Sequence, residues 1–179
     1  MAGVQGVRII PSLEAAYLKA AIESGNNERA KRALQALCKL YWNGSMLLPK
    51  ERNGLENTVL GALTRGNSNE KVRRWSLSSL AQFGQSNVSW EPVISALKSH
   101  QNEPQVVSAA IAAAFKLRPA TAHNELIAMD FVSAEILALS ALQTVSSDRL
   151  TSGVPIIEVE NASTTTLKLA LVLVGLGKA

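Results

Sequence analysis

The sequence repeats one layout five times, and this repetition constrains the fold more than any other feature. In each copy, a capping residue precedes a run of apolar residues at helical spacing. The copies begin at intervals of 42, 34, 30 and 30 residues, with first residues Asn27, Asn69, Glu103, Ser133 and Ser163. Such a period is typical of helical-hairpin arrays, in which a unit buries its apolar face only against its neighbours.

Local signals place the start of each helix. Asn and Ser side chains at four of the five starts can accept hydrogen bonds from unpaired amides of the first turn. Pro104 suits the first helical position, where no amide hydrogen is needed. The intervening segments predict the first helix of each hairpin, at Ser12–Ser24, Pro49–Thr64, Ser89–Ser99 and Thr121–Met129, with a fifth slot around Val154–Glu160 that could instead be extended.

A family resemblance rests on the stretch from Asn69 to Gly84, which resembles the second helix of a HEAT repeat. That pattern runs from a capping residue through Val-Arg and small residues to a final Gly, and its places are taken by Val72, Arg73, Ser76, Ser79, Leu80 and Gly84. Glu103-Pro-Gln-Val106 with Ala110 and Ala113 is a second match, in which Val107 replaces the Arg. The first copy fits the pattern only with a one-residue slip, and the fourth and fifth match by periodicity alone.

The resemblance implies an all-α fold, a right-handed α-solenoid of about five HEAT-like helical hairpins. The whole chain, 1–179, is then one domain with repeats at approximately 12–42, 48–84, 89–118, 120–145 and 153–176. In this family, Arg at the place of Arg73 often bonds a neighbouring repeat, so a structural role is expected for it. The family's curved surface typically holds proteins or nucleic acids.

Composition and cysteine use favour a folded protein of the cytoplasm. The chain is 47% hydrophobic and 18% charged, too apolar for disorder. Its single cysteine, Cys38, cannot form an internal disulfide, and no signal peptide is recognised. Leu167–Leu176 is too short to span a membrane and is predicted to be a buried helix. Its lack of a polar face predicts either further repeats in a longer protein or self-association.

The distribution of charge suggests where a partner binds. Residues 1–118 hold fifteen Lys/Arg and eight Asp/Glu, whereas residues 119–179 hold three and six. Positive charges recur on the second helix of each of the first two repeats, on the face opposite the apolar stripe. We call these five residues the basic strip: Arg29, Arg32, Lys39, Lys71 and Arg74. An ordinary solvated face is the alternative to a binding site for an acidic surface or a phosphate backbone.

The three tryptophans are interpreted mainly as core residues. Trp75 is predicted on an apolar stripe, opposite Arg74, and Trp90 at a helix start, where its ring would seal the hairpin. Trp42 precedes Asn43-Gly44 and is the one expected to show a face. Stacking on nucleic-acid bases remains the alternative for a tryptophan beside cations.

No catalytic, cofactor or metal motif emerges from the sequence. His100 and His123 are isolated, and Cys38 has no nearby histidine, so neither a nucleophile with its base nor a metal-ligand set can be assembled. A glycosylase on HEAT-like repeats would need an Asp beside tryptophans, and Asp130 and Asp148 are distant from every Trp. We therefore predict a non-enzymatic scaffold without cofactors, binding an acidic protein partner, with nucleic acid as the alternative ligand and no membrane association.

Overall fold

The described part of the protein is all-α. The computed structural model describes residues 7–118 together with 121, 122 and 125. Its helices are α1 Ser12–Glu23, α2 Asn27–Trp42, α3 Pro49–Thr64, α4 Glu70–Phe83, α5 Ser86–Ser99 and α6 Pro104–Leu117. Within these residues the only sheet is a parallel pair of two-residue strands, β1 Arg8–Ile9 and β2 Ser45–Met46.

The chain forms two compact units, residues 1–83 and residues 84–179. In the first unit α1 packs against α2 and α3, while α4 packs against α3 and α2. The hairpins α1–α2 and α3–α4 therefore stack side by side, first helix on first helix and second on second. In the second unit α5 and α6 form a further hairpin. Each hairpin lies where the repeat pattern predicts one.

Side-chain caps explain where the second helices of the first unit begin. The Oδ1 atom of Asn26 accepts a hydrogen bond from the Arg29 amide at 2.9 Å, so the predicted cap at Asn27 is wrong by one residue. Asn27 is instead the first helical residue, and its Nδ2 donates to the Asn67 carbonyl. Asn69 caps α4 as predicted, accepting from the Val72 amide at 3.0 Å.

Two glycines end the helices of the first hairpin. Gly25 follows α1 with φ of +76°, and Gly44 follows α2 with φ of +78°. Side chains with a Cβ rarely adopt this left-handed conformation, whereas glycine adopts it readily. After Gly44 the chain pairs with the N-terminal segment, where the Ile10 amide donates to Met46 O at 2.8 Å. Strands this short have no detectable period, and the pairing was not predicted.

The second unit departs from the prediction at one boundary. α5 begins at Ser86 instead of Ser89, about one helical turn earlier than predicted. Its first turn has no side-chain capping hydrogen bond, so no capping residue marks the true start. Ser89 itself is buried inside the helix. α6 begins at Pro104 as predicted, and nine of its residues are buried. The expectation that this helix is covered on both sides is confirmed.

The fourth and fifth predicted repeats, 120–145 and 153–176, lie almost entirely outside the described residues. Thr121, Ala122 and Glu125 are helical, as expected for three positions within the predicted helix Thr121–Met129. The predicted caps at Ser133 and Ser163, the apolar segment Leu167–Leu176, and both Asp130 and Asp148 belong to the part that the structure does not describe.

Candidate interaction surface

The surface that carries most of the predicted basic residues is built on the packing of α2 against α4. The Cys38 thiol and the Ser79 hydroxyl lie 3.3 Å apart, and the rings of Tyr41 and Phe83 stack with centroids 5.4 Å apart. Contacts advance in the same direction along both helices, so the helices run parallel. Their outward faces therefore lie beside each other.

Two tryptophans meet on this outward face. The rings of Trp42 and Trp75 are 6.3 Å apart at an interplanar angle of 56°, a tilted geometry that aromatic pairs favour. Trp42 is 57% exposed, which confirms that it shows a face to solvent. The exposed indole leaves a large apolar area in water, and an exposed apolar patch rimmed by polar residues is typical of an interaction site.

The guanidinium of Arg74 lies over the second of these rings. Its Cζ atom is 5.3 Å from the centre of the Trp75 ring, within the range of a cation–π interaction. Arg74 and Trp75 are both half-buried. The prediction that Trp75 belongs to the core, with Arg74 on the opposite side of the helix, is therefore wrong.

The apolar stripe of α4 explains why the placement of Trp75 was missed. The buried residues of this helix are Val72, Ser76, Leu77, Ser79, Leu80 and Phe83. Relative to Val72, Trp75 lies about 60° around the helix, on the side away from most of the stripe. Its position four residues after the exposed Lys71 is the sequence signal that places it on the outward face.

The remaining members of the basic strip are exposed on α2 and α4. Arg32, Lys39 and Lys71 lie on the outward side, and neither lysine forms an ion pair with any of the described residues. Arg29 is also exposed, but it precedes Cys38 by about two and a half helical turns. It therefore faces away from α4, on the side of α2 opposite the Cys38–Ser79 contact.

A carboxylate within the strip offsets part of its positive charge. Glu28 accepts hydrogen bonds from Lys31 Nζ at 2.7 and 2.8 Å and from Arg32 Nε at 3.0 Å. The hydrogen bond from Lys31, followed by that from Arg32, lowers the pKa of Glu28. Ionised Glu28 thus reduces the net charge that a polyanion would meet. We call the set that faces outward together the aromatic–basic surface: Arg32, Lys39, Trp42, Lys71, Arg74 and Trp75.

Arg73 and Trp90, for which the sequence predicts structural roles, both make contacts within the fold. Arg73 donates through Nη1 to the Ser68 carbonyl of the loop before α4, consistent with the structural role predicted for it. Trp90 is buried, and the guanidinium of Arg118 lies 5.1 Å from the centre of its ring. Its predicted place in the core is confirmed.

The lone cysteine is held in its neutral form. Burial raises the pKa of the Cys38 thiol to about 11, against a smaller opposing effect of its hydrogen bond with Ser79. A thiol in this state is a poor nucleophile and a poor metal ligand. Across the described ranges, no group of three or more His, Cys, Asp and Glu side chains is arranged to hold a metal ion.

Comparisons with known proteins yield no match: no protein-family model matches the chain, and no curated protein or solved structure is significantly similar to it. Of the helices in the described part, none has the length and apolar character needed to cross a membrane.

Proposed function

We propose that this protein is a non-enzymatic scaffold that binds a protein partner on the aromatic–basic surface. The observation that carries the proposal is the exposed Trp42, which contacts Trp75 among the cations of α2 and α4. Tryptophan and arginine are the residues that most often dominate the energy of protein–protein interfaces. Here they form one patch on paired helices, a rigid base for binding.

The proposed architecture is a right-handed array of about five HEAT-like hairpins. Its support is the stacking of α1–α2 on α3–α4 and the recurrence of the repeat layout beyond residue 84. Stacked repeats present adjacent second helices as a continuous surface. The aromatic–basic surface would then occupy the N-terminal part of that face.

The proposed partner carries an acidic segment with an apolar or aromatic side chain. Lys39 and Lys71 have no anionic partner among the described residues, so acidic groups can pair with them without displacing an existing contact. The exposed ring of Trp42 offers an apolar contact between these charges. Glu28 pairs with Lys31 and Arg32 and so lowers the positive charge density of the surface, which favours a protein segment of mixed character over a polyanion.

A charge-reversal experiment tests the site with a matched control. Proteins that co-purify with the chain are identified after nuclease treatment, and the affinity of the recovered partner is measured by titration. The variant Lys39→Glu/Lys71→Glu and the variant Trp42→Ala should each lower that affinity at least tenfold. Arg29→Glu, exposed but facing away from α4, should leave it within twofold. Equal losses in all three variants would reject this surface as the site.

Nucleic acid is the second candidate because an exposed tryptophan beside cations is also a stacking platform for single strands. The two functions differ in their salt dependence. Each phosphate contact contributes a slope of roughly −0.7 to −0.9 to log affinity against log salt. Submicromolar binding of generic single-stranded or duplex nucleic acid at 0.15 M salt, lost in Lys39→Glu/Lys71→Glu, would favour this candidate over the protein partner.

A further inference from the structure

An open groove lies between α1 and α3, on the first helices of the two stacked hairpins. Its volume is about 380 Å³, and it combines charged side chains at its rim with small residues along α3. The lining includes Lys19 and Glu23 from α1, and Gly54, Thr58, Gly61 and Arg65 from α3 and its end. The groove is separate from the aromatic–basic surface, which is formed by the second helices.

Arg65, at the end of α3, forms no ion pair with any residue that the structure describes. Its Nε and Nη2 atoms are shielded from solvent and make no hydrogen bond within the described part of the chain. Arg32 and Arg118 have acceptors in Glu28 and in the Ser86 carbonyl. Arg52 has one shielded nitrogen without a hydrogen bond, whereas Arg65 has two. A guanidinium removed from water without an acceptor is costly. Rotation of the side chain toward the groove would let an anion there supply the missing acceptor.

Two glycines of α3 leave room that no described atom occupies. Gly54 and Gly61 are seven residues apart and therefore lie on the same face, which lines the groove. A Cβ added to either would meet no atom within 4 Å. Glycine inside a helix is destabilising relative to alanine, and no close contact explains its use here. The open space beside the two glycines belongs to the groove.

Lys19, the second cation of the groove, forms only a long ion pair. Lys19 Nζ lies 3.8 Å from Glu23 Oε1, which is longer than a hydrogen bond. That carboxylate oxygen already accepts the Thr58 hydroxyl at 2.8 Å. Lys19 can thus turn to another anion at little cost. With Glu23 counted against Lys19, Arg65 remains as one unbalanced positive charge.

We infer that this groove binds a small molecule bearing a carboxylate or phosphate group. The planar guanidinium of Arg65 matches the paired oxygens of either oxyanion. Lys19 contributes a second charge, and the space above Gly54 and Gly61 receives the body of the ligand. The inference does not depend on the function proposed above, since no residue is shared between the two surfaces.

Titration calorimetry on the full chain in 0.15 M salt tests the inference with two probes, inorganic phosphate and succinate. Saturable binding of at least one probe at a single site is expected, and the probe that binds identifies the oxyanion. Arg65→Gln should weaken binding by about tenfold or more, as loss of a charge-assisted hydrogen bond implies. Arg52→Gln, a half-buried arginine of the same helix outside the groove, should leave the affinity unchanged.

A substitution that fills the groove distinguishes weaker binding of the probe from loss of folding. Gly61→Ala should raise the melting temperature, because alanine favours the helix and its Cβ meets nothing, yet it should weaken binding of the probe. Gly66→Ala, in the loop beyond α3 and outside the groove, is the control for binding. Failure of the folded chain to bind either probe saturably, or equal affinity of the native chain and Arg65→Gln, would overturn the inference.

Discussion

α2 and α6 are each the second helix of a hairpin, but α2 has an exposed charged face whereas most of α6 is buried. Five of the sixteen residues of α2 are buried, whereas nine of the fourteen residues of α6 are. α2 carries charged residues at helical spacing on its exposed face, while the only charged residue within α6 is Lys116. The residues on the face opposite the apolar stripe therefore differ in effect. In α2 they are charged and exposed, whereas in α6 they are apolar and buried.

The comparison predicts that substitutions in α6 change stability and substitutions on the exposed face of α2 change binding.

The largest effect is expected for Ala110→Leu in α6. Ala110 is completely buried, and added methylene groups in a packed core cost about 1–3 kcal/mol. The matched control is Ala36→Leu, at an exposed position of α2, where the change should stay within about 0.5 kcal/mol. Chemical denaturation of both variants measures the difference. Equal losses in the two variants would show that α2 and α6 do not differ in this way.

The buried face of α2 is expected to make stability depend on alkaline pH through Cys38. The pKa of its thiol is raised in the folded protein from its ordinary value of 9.0 to about 11. The folded state therefore keeps its proton between these values while the unfolded state loses it, so the contribution is intact below pH 9 and declines as pH approaches 11. Between pH 8 and pH 10 the loss in the free energy of unfolding is expected to be about 1 kcal/mol.

The variant Cys38→Ala isolates this contribution from other titrating groups, such as Tyr41, whose pKa is also raised by burial. Unfolding free energies of the two proteins are measured by denaturation at pH 8 and at pH 10. From pH 8 to pH 10, the free energy of unfolding of the native chain should fall by about 1 kcal/mol more than that of the variant. Parallel losses in both proteins would mean that the thiol is not desolvated in the folded state.

A smaller effect is expected at the start of α2, where Asn26 caps the helix through its side chain. Asn26→Ala should cost about 1 kcal/mol, whereas Asn26→Ser should retain most of the stability. At the start of α6, Glu103 makes no capping hydrogen bond with its side chain. Thermal denaturation measures the effect. If alanine and serine were equivalent at position 26, the assignment of the cap would be wrong.

The smallest effects are expected for the charge reversals proposed as binding tests. Lys71 is in the first turn of α4 and Lys39 is in the last turn of α2, so the helix dipole acts on them in opposite directions. Lys71→Glu should be neutral or slightly stabilising, and Lys39→Glu slightly destabilising, each by about 0.3–1 kcal/mol at most. The double variant should therefore melt close to the native chain. A large loss would mean that one of these lysines is structural.

Local residue patterns were sufficient to predict most of the described helices. Short-range signals located the helices to within three residues. They are the cap at Asn69, Pro104 at the first position of α6, the apolar runs behind both and the glycine at residue 25. The buried character of α6 followed from its composition, because a helix without a polar face must be covered on all sides. Trp42 was correctly predicted to be exposed, since it lies at a helix end beside Asn43-Gly44.

The features that were missed arise from contacts between residues far apart in the sequence. β1 and β2 pair residues separated by 37 positions, and two-residue strands carry no recognisable pattern. Trp75 lies at the edge of its apolar stripe, where helical periodicity alone cannot separate core from surface. The groove between α1 and α3 depends on how closely two helices approach, and no pattern within either helix records that distance.

The sequence by itself determined that the described chain is helical, where its helices begin and end, and which face of each is apolar, because these properties depend on neighbours within about one helical turn. The tertiary structure alone decided that Trp42 meets Trp75 and that Arg29 lies on the side of α2 away from α4. It also decided that two nitrogens of Arg65 have no acceptor among the described residues. Each of these depends on the packing of α1 to α4, since a helix fixes the direction of its own side chains but not what lies opposite them.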